Sequence, residues 1–520
     1  MAHSWLPPLV LCHPRDTWSL DATTANTSRS TLDALPWKRV MREMQDLEGG
    51  AIANLDERRQ VGHYWLRAPE DAPTMGQAVA IGQTAQDVRA FAEQIRRGNL
   101  AAEDGLPFTD VLHIGIGGSA LGPALLVDAL QPHAAADTPR RSLTVHFIDN
   151  TDPDGIKRTL EHIGERLRHT LVVVVSKSGG TAETRNAMIL VRHAVRSAGL
   201  NWPSRAVAVT GDGSKLHKLA NDENWLRTFF MWDWVGGRFS VMSAVGLLPA
   251  ELAGVDTLDL LEGARDMDTW TRTPTWIDNP AAMLAGTWFA VGNGKGDRAL
   301  VVLPYRDRLH LMSRYLQQLL MESLGKRLDR QGNVVHQGLT VYGNKGSTDQ
   351  HAYVQQLRDG RDDVLAILIS VLDDGDGSNI DVRPETSAGD FLHGFTLGTR
   401  RALTSQGRPV LTITLPTLDA RQLGGLIALF ERAVGFYASL IDVNAYHQPG
   451  VEAGKHAANE VLDLSRRARH SLTDQPQTLP ALAKHLDADP LELWLVLERL
   501  VSTQRARRDG APSTGSYRRP

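Results

Sequence analysis

Short runs of apolar residues recur along the chain and constrain its fold more than any other feature. Each run ends at or near Gly, Ser, Asp, Pro or Asn, and helix-like segments alternate with the runs. Continuous apolar runs of this length are typical of strands buried on both faces of a parallel sheet, and strands that alternate with helices form βαβ units. The runs are 111-VLHIGI-116, 143-LTVHFIDN-150, 171-LVVVVSKS-178, 206-AVAVTGDG-213, 299-ALVVLPY-305, 364-VLAILISVL-372 and 409-PVLTITLP-416.

The length of the chain indicates more than one subdomain. Its 520 residues exceed what a single compact core usually holds, and the apolar runs fall into two groups. We therefore predict an α/β fold with two parallel-sheet subdomains and helical segments at both ends. The predicted boundaries are 1–104 for a mostly helical N-terminal segment, 105–284 and 285–440 for the two subdomains, and 441–520 for a C-terminal helical segment and tail.

Composition narrows the class of protein. Hydrophobic residues make up 42% and charged residues 22%, as is ordinary for a soluble globular protein. The net charge of −4 gives no case for a nucleic-acid or anionic membrane partner. The single cysteine, Cys12, excludes intramolecular disulfides and suits a reducing compartment. We expect no membrane-spanning helix and no signal peptide, and we predict a cytoplasmic location.

The C-terminal region differs from the rest of the chain in its predicted secondary structure. Residues 475–502 predict two amphipathic helices joined at 487-DADP-490, similar to a small helix-turn-helix module. The loop alone does not indicate DNA binding, and we favour packing against the body of the protein or a partner subunit. Residues 502–520 are basic and rich in turn formers, which predicts a frayed or disordered end.

A glycine cluster follows the first apolar run, at Gly117, Gly118 and Ser119. Glycines between a strand and a helix let the backbone approach an anion, and the helix N-terminus offers unpaired N–H groups. The loop also fits the loose dinucleotide pattern G-x-G-x-x-A, but the nearest acidic residue at a strand end, Asp149, lies too far along. A nucleotide is therefore disfavoured, and an anion site and a tight turn without a ligand remain equally open.

A second loop strengthens the case for a phosphate. The strand at 171–176 runs into a segment that combines hydroxyls, glycines and a lysine directly before a helix, and such a density of donors suits a phosphate monoester. A helix cap would need only one of these hydroxyls, so we favour phosphate binding. The lysine could equally be a solvated charge. The candidate residues are Ser176, Lys177, Ser178 and Thr181, with Gly179 and Gly180 between them.

Six motifs, taken together and in order, resemble the glucose-6-phosphate isomerase family, and most closely its bacterial and plastid-type branch. The resemblance implies two sugar-isomerase (SIS) subdomains, each an α/β sandwich with a mainly parallel central sheet. This sequence departs from many members of the family at Gly179 and Gly180, where bulkier residues are usual. The motifs are 116-IGGSALGP-123, 176-SKSGGTAET-184, 235-VGGRFSVMSAVGLLPA-250, 321-MESLGK-326, 343-GNKGSTDQHAYVQQL-357 and 444-NAYHQPGVEAGK-455.

The resemblance also implies an activity. Members of the family interconvert glucose 6-phosphate and fructose 6-phosphate through a cis-enediol(ate), without a metal or organic cofactor, as homodimers whose active sites draw on both subunits. It implies a phosphate bound near Gly118, Ser119 and the loop 176–181. The substrate would therefore be a hexose 6-phosphate, with no nucleic acid and no membrane involved.

Glu322 is the candidate base on the same grounds. It falls in an apparent helix, 309–328, whose apolar stripe is Leu309, Met312, Leu316, Leu319 and Leu320. Gln318 and Glu322 lie on the opposite face with Arg314, and periodicity alone favours a solvated face there. Only the resemblance makes Glu322 the proton-transferring carboxylate and Gln318 a substrate-binding amide.

The remaining candidate residues also take their roles from the resemblance. Arg238 would stabilise the enediolate, although a structural ion pair is the simpler interpretation of an arginine. His351 would open the sugar ring and reach the neighbouring subunit's site, although a lone histidine is more often a surface or core residue. Lys455 would assist ring opening and Gln448 would bind substrate, although Lys455 alone could be a solvent-facing charge.

Two other functions compete with this one. A sugar-phosphate-binding regulator built on the same subdomains would need the phosphate loops but not Glu322, Arg238, His351 and Lys455 together. A related isomerase could also accept mannose 6-phosphate, because the shape of the pocket around Glu322 and Gln318, which decides stereochemistry at C2, does not follow from the motifs.

Overall fold

The structure is a computed structural model, and it describes residues 9–13, 18–132, 142–375 and 380–520. The chain forms two compact units, the first ending at His447 and the second running from Gln448 to Pro520.

The first sheet of the first unit is parallel throughout its described strands. It contains four of the predicted strands and adds an edge strand, Arg227–Met231, that the apolar runs do not predict. Its three central strands are buried on both faces: one face packs against Leu125, Leu126 and Val245 and the other against Ile156 and Val191. In spatial order the strands are Thr144–Ile148, Asp110–Ile114, Thr170–Ser176, Ala206–Gly211 and Arg227–Met231.

The second sheet is mixed. Its parallel strands are Val410–Leu415, Val364–Val371, Ala299–Pro304 and Val341–Tyr342, and the first three match predicted runs. Strands Val10–Cys12 and Ser19–Asp21 form a hairpin that pairs antiparallel with Val410–Leu415. The sequence pattern does not predict this hairpin, because its partner is nearly four hundred residues away. The predicted α/β fold with mainly parallel sheets is confirmed, whereas the subdomain boundaries stay a prediction.

Helices cover both sheets, and two of them form the centre of the first unit. Ala420–Leu440 packs against Thr257–Thr271 so closely that a Cβ at Gly263 would lie 1.8 Å from the Arg421 carbonyl oxygen. By length and composition Ala420–Leu440 could cross a membrane, but its side chains are buried in this core, as in the central helix of many soluble folds. Further helices of the unit are Arg29–Asp33, Trp37–Glu48, Met75–Arg96, Leu121–Leu130, Pro153–Ile163, Ala182–Ser197, Lys215–Asp222, Ala244–Leu252, Pro280–Val291, Val354–Asp359 and Ala388–Thr404.

The second unit combines three helices with a small antiparallel sheet. Its helices are Pro449–Ser471, Leu479–Leu486 and Pro490–Ser502, and its strands are Gln477–Thr478, Ser516–Arg518 and Arg507–Asp509. The last two helices and the connection between them are confirmed. The prediction of a frayed end is wrong, because the Tyr517 ring is fully buried among the leucines of these helices and its hydroxyl bonds to Glu498 at 2.8 Å.

Candidate active site

The glycine loop contacts two other predicted parts of the site. Gly117 has a φ of +57°, a conformation that favours glycine. A Cβ at Gly118 would lie 2.0 Å from the carbonyl oxygen of Gly237, and one at Gly117 would lie 2.8 Å from the Gln318 amide nitrogen. The loop therefore needs glycines to lie against the segment containing Arg238 and against the helix of Gln318.

Close to this loop, at the carboxyl end of the neighbouring parallel strand, lies the second loop. Ser176 bonds to Thr181 at 3.3 Å through their hydroxyls, and the Ser178 hydroxyl accepts the N–H of Gly180 at 3.1 Å. Thr181 stands at the N-cap of helix Ala182–Ser197, yet within the described residues its hydroxyl makes no capping bond. Capping by its hydroxyl thus does not explain this threonine, and its role in binding an anion stays a prediction.

Thr184 is a candidate that the sequence interpretation missed. Its hydroxyl is buried and has no hydrogen-bond partner in the described part of the chain, which is unusual for a buried polar atom. It lies on the first turn of the helix, three residues after Thr181 and therefore on the same side. That spacing in 181-TAET-184 was the signal that could have identified it.

Lys177 is directed to the backbone of the neighbouring loop. Its Nζ donates to the carbonyls of Asp233 and Val235, both at 3.1 Å. Burial lowers the pKa of Lys177, and the Asp233 carboxylate opposes that shift. In this arrangement the lysine braces the backbone that leads to Arg238, while its predicted contact with substrate stays a prediction.

Arg238 is held by several acceptors in the interior. Its Nε donates to the Ser323 hydroxyl at 2.7 Å, and Nη2 donates to the carbonyls of Ala445 and His447. Nη1 lies 3.7 Å from Oε1 of Glu322. Burial lowers the pKa of Arg238 and the charge of Glu322 counteracts this, so the side chain keeps its charge at any working pH.

Glu322 ends a π-helical turn. The helix Met312–Leu316 continues as a π-turn over Gln317–Glu322, and a short strand begins at Lys326. The predicted α-helix over 309–328 is therefore too long and too regular, although its apolar stripe is buried as predicted. The side chain of Glu322 is 21% exposed, against 1% for Arg238, so the carboxylate borders solvent while its cation does not. Single π-turns inside helices occur often at functional sites.

The remaining predicted residues are His351, Gln448 and Lys455. His351 is exposed on the turn Thr348–His351, and no described hydrogen bond or ion pair joins it to Glu322 or Arg238. Gln448 precedes helix Pro449–Ser471 of the second unit, and the side chain of Lys455 lies outside the described residues. The structure thus brings together Gly118, Gln318, Arg238 and Glu322 and leaves the ring-opening assignments as predictions.

The arrangement suits proton transfer beside an anionic ligand. A carboxylate at the edge of solvent can accept a proton, and a buried guanidinium next to it can stabilise an oxyanion. Among the described residues, no three His, Cys, Asp or Glu side chains cluster in a way that could hold a metal ion.

Comparison with known proteins identifies close relatives. The family model described as phosphoglucose isomerase matches residues 20–391 and 378–478. The glucose-6-phosphate isomerase of Geobacter sp. (strain M21) is 56% identical over 439 residues, which cover 84% of this chain and 82% of that protein. The enzyme of the same name from Synechococcus sp. (strain JA-3-3Ab) is 54% identical over 480 residues, covering 91% and 89%. A solved glucose-6-phosphate isomerase from Chlamydia trachomatis superposes with a TM-score of 0.78 at 26% identity, covering 88% and 90%.

Proposed function

Because the chain belongs to the phosphoglucose isomerase family, we propose that it interconverts D-glucose 6-phosphate and D-fructose 6-phosphate with Glu322 as the base. The observation that carries the assignment of roles is the Arg238–Glu322 pair at 3.7 Å, set against the Gly118 loop. A regulator that only binds a sugar phosphate would have no use for a carboxylate in this position.

The phosphate would bind at the carboxyl ends of the first sheet. Ser176, Ser178 and Thr181 supply hydroxyls, Ser119 supplies a further one, and the N-terminus of helix Ala182–Ser197 faces the same loop. Thr184 would join this set, since a phosphate oxygen supplies the partner that its buried hydroxyl lacks. Charge-assisted bonds of this kind are shorter and stronger than neutral ones.

The chemistry then needs one base and one oxyanion site. His351 and Lys455 would open the sugar ring, and Gln318 and Gln448 would hold the open chain. Glu322 removes the proton from C2 of glucose 6-phosphate while the electron pair moves through the C1–C2 bond onto the C1 carbonyl oxygen. It then returns the proton to C1 as the proton of the C2 hydroxyl moves to O1, which leaves the C2 carbonyl of fructose 6-phosphate. Arg238 lies where it can stabilise the enediolate formed in between.

The activity is tested on protein treated with a chelator and given fructose 6-phosphate. Glucose 6-phosphate is expected to appear without added metal, because every group that the mechanism uses is a side chain. Proton NMR would follow glucose 6-phosphate and mannose 6-phosphate separately. Accumulation of mannose 6-phosphate would widen the specificity, and binding of fructose 6-phosphate without any product would contradict the proposal in favour of a regulator.

We also propose a homodimer in which His351 serves the partner's site. Its exposed position away from any described bond to Glu322 supports this arrangement. Glu322→Gln and His351→Ala chains would be co-expressed with different tags and the mixed dimer isolated. The mixed dimer is expected to show about half of the wild-type activity, since one of its two sites holds both intact residues.

Homodimers of each variant serve as controls and should have little activity. A mixed dimer as inactive as its parents would show that His351 acts within its own subunit, and the absence of any mixed species would contradict the dimer.

A cytoplasmic location, with no membrane or nucleic-acid partner, fits the single cysteine and the net charge of −4.

A further inference from the structure

Lys326 lies behind the proposed base and has no role in the proposal so far. The residue is 5% exposed, and its Nζ donates to the carbonyl of Glu322 at 2.7 Å and to that of Ser323 at 2.8 Å. Both carbonyls are at the end of the helix, where backbone oxygens have no partner within the helix and carry partial negative charge. The ammonium therefore closes the end of the turn that carries Glu322.

The backbone is shaped to bring this lysine back onto the helix. Gly325 donates its N–H to the Met321 carbonyl at 2.8 Å, and a Cβ at residue 325 would lie 2.6 Å from that same oxygen. The glycine thus permits the tight reversal after Leu324, and strand Lys326–Leu328 starts directly behind the π-turn. The sequence 322-ESLGK-326 encodes the base, the reversal and the ammonium within five residues.

The same short segment is held from the other side by Arg238. That side chain donates to the Ser323 hydroxyl at 2.7 Å and lies 3.7 Å from the Glu322 carboxylate. Two cations therefore contact Glu322: Lys326 binds its backbone carbonyl, and Arg238 lies next to its carboxylate. The π-turn that carries Glu322 is thus held from outside the helix by contacts at Ser323 and at the Glu322 carbonyl.

We propose that Lys326 is a positioning residue for this reaction: it clamps the carbonyls of Glu322 and Ser323 and thereby sets where the base stands and how readily it ionises. This inference rests on the proposed function of Glu322. Lys326 touches the backbone of the base and takes no proton from the substrate.

The charges around the amine fit such a role. Burial lowers the pKa of Lys326 to about 7, repulsion from Arg238 adds to this, and Glu322 and Asp56 oppose it. His447, whose own pKa is lowered by burial first, also feels the lysine's charge. Lys326 thus gains its charge as the pH falls through about 7, which places a positive charge behind the turn that carries Glu322.

Lys326→Met and Lys326→Arg are the test. Lys157→Met is the matched control, because Lys157 is exposed and forms an ion pair along its own helix with Glu161. Lys326→Met is expected to lower kcat by about tenfold to a hundredfold, the cost of a base displaced by about 1 Å, with KM within about threefold. The acid limb of its kcat–pH profile should move to higher pH. Lys326→Arg should restore most of kcat and return the limb, and Lys157→Met should match wild type.

Thermal unfolding of each variant separates this role from a purely structural one. A Lys326→Met protein that unfolds at lower temperature but keeps the wild-type kcat and acid limb when folded would overturn the inference, and so would failure of Lys326→Arg to restore either quantity. If Lys326→Met does not fold, the pH profile of Lys326→Arg alone decides. A wild type without turnover would instead contradict the proposed function, so the two failures are distinguishable.

Discussion

Glu322→Gln is expected to lower kcat by about two to four orders of magnitude, the usual contribution of a general base. Glutamine keeps the size of the side chain and can still lie next to Arg238, 3.7 Å away in the wild type, but it cannot accept a proton from C2. Affinity for fructose 6-phosphate should stay within about threefold of wild type, since the phosphate loops are untouched. Steady-state kinetics and calorimetric titration would measure the two quantities.

Glu161→Gln is the matched control for this variant. Glu161 lies on an exposed helix face, where it forms an ion pair with Lys157, and exposed pairs of this kind contribute little. Its kcat and affinity should be those of wild type. A Glu322→Gln protein that keeps more than about a tenth of kcat would remove Glu322 from the role of base, and one that no longer binds fructose 6-phosphate would make it a binding residue.

Asp268→Asn is expected to destabilise the protein by about 3–5 kcal/mol, as when one partner of a buried ion pair is removed. Arg67 donates to Asp268 through Nε at 2.6 Å and through Nη2 at 2.9 Å, and Arg432 reaches the same carboxylate at 3.2 Å. Arg67 also pairs with Glu431, and all four of these side chains are essentially inaccessible to solvent. Loss of the Asp268 charge leaves two buried guanidinium groups short of an acceptor. The free energy would come from urea-induced unfolding followed by tryptophan fluorescence.

The same substitution should change how stability depends on pH. Burial by itself would raise the pKa of Asp268, but the charges and hydrogen bonds of Arg67 and Arg432 outweigh it and hold the pKa below its ordinary value. The stabilisation is therefore complete above the unfolded pKa of about 3.9 and is lost as the pH falls through the lower folded value. Asp268→Asn should lack this part of the acid-induced loss.

Asp259→Asn is the control for the buried network. Asp259 lies on the same helix as Asp268 and forms an exposed ion pair with Arg421 of the neighbouring helix. The expected loss of stability is therefore below about 1 kcal/mol. Equal losses from the two substitutions would mean that the buried network adds no more to stability than a surface pair.

The strands and the two glycine-containing loops that follow them were predictable because their information is local. The burial of 171-LVVVV-175 on both faces follows from a continuous apolar run, and Ser176–Thr181 stand directly before a helix that begins at Ala182. The amphipathic helices at 479–486 and 490–502 follow from the same periodicity. Local composition misled in the C-terminal tail, where turn-forming residues suggested disorder but Tyr517 packs into a core of leucines.

The residues proposed to be catalytic were a different case. Periodicity alone puts Gln318 and Glu322 on a solvated face, and only the order of six motifs related them to a known chemistry. The π-turn at Gln317–Glu322 has no signal in the spacing of apolar residues, because the buried stripe is compatible with a regular helix. The backbone contact of Lys326 with Glu322 was likewise not readable from the sequence, although both lie in one quoted motif.

By itself, then, the sequence determined the α/β class, the parallel strands marked by long apolar runs and the two glycine-containing loops, since each depends on residues a few positions apart. The tertiary structure decided that Arg238 contacts Glu322 and Ser323, although Ser323 lies 85 positions further along the chain. It also decided that an N-terminal hairpin joins the second sheet by pairing with strand Val410–Leu415. Such pairings depend on which surfaces are buried together when the whole chain folds, and that choice is made by packing between distant segments.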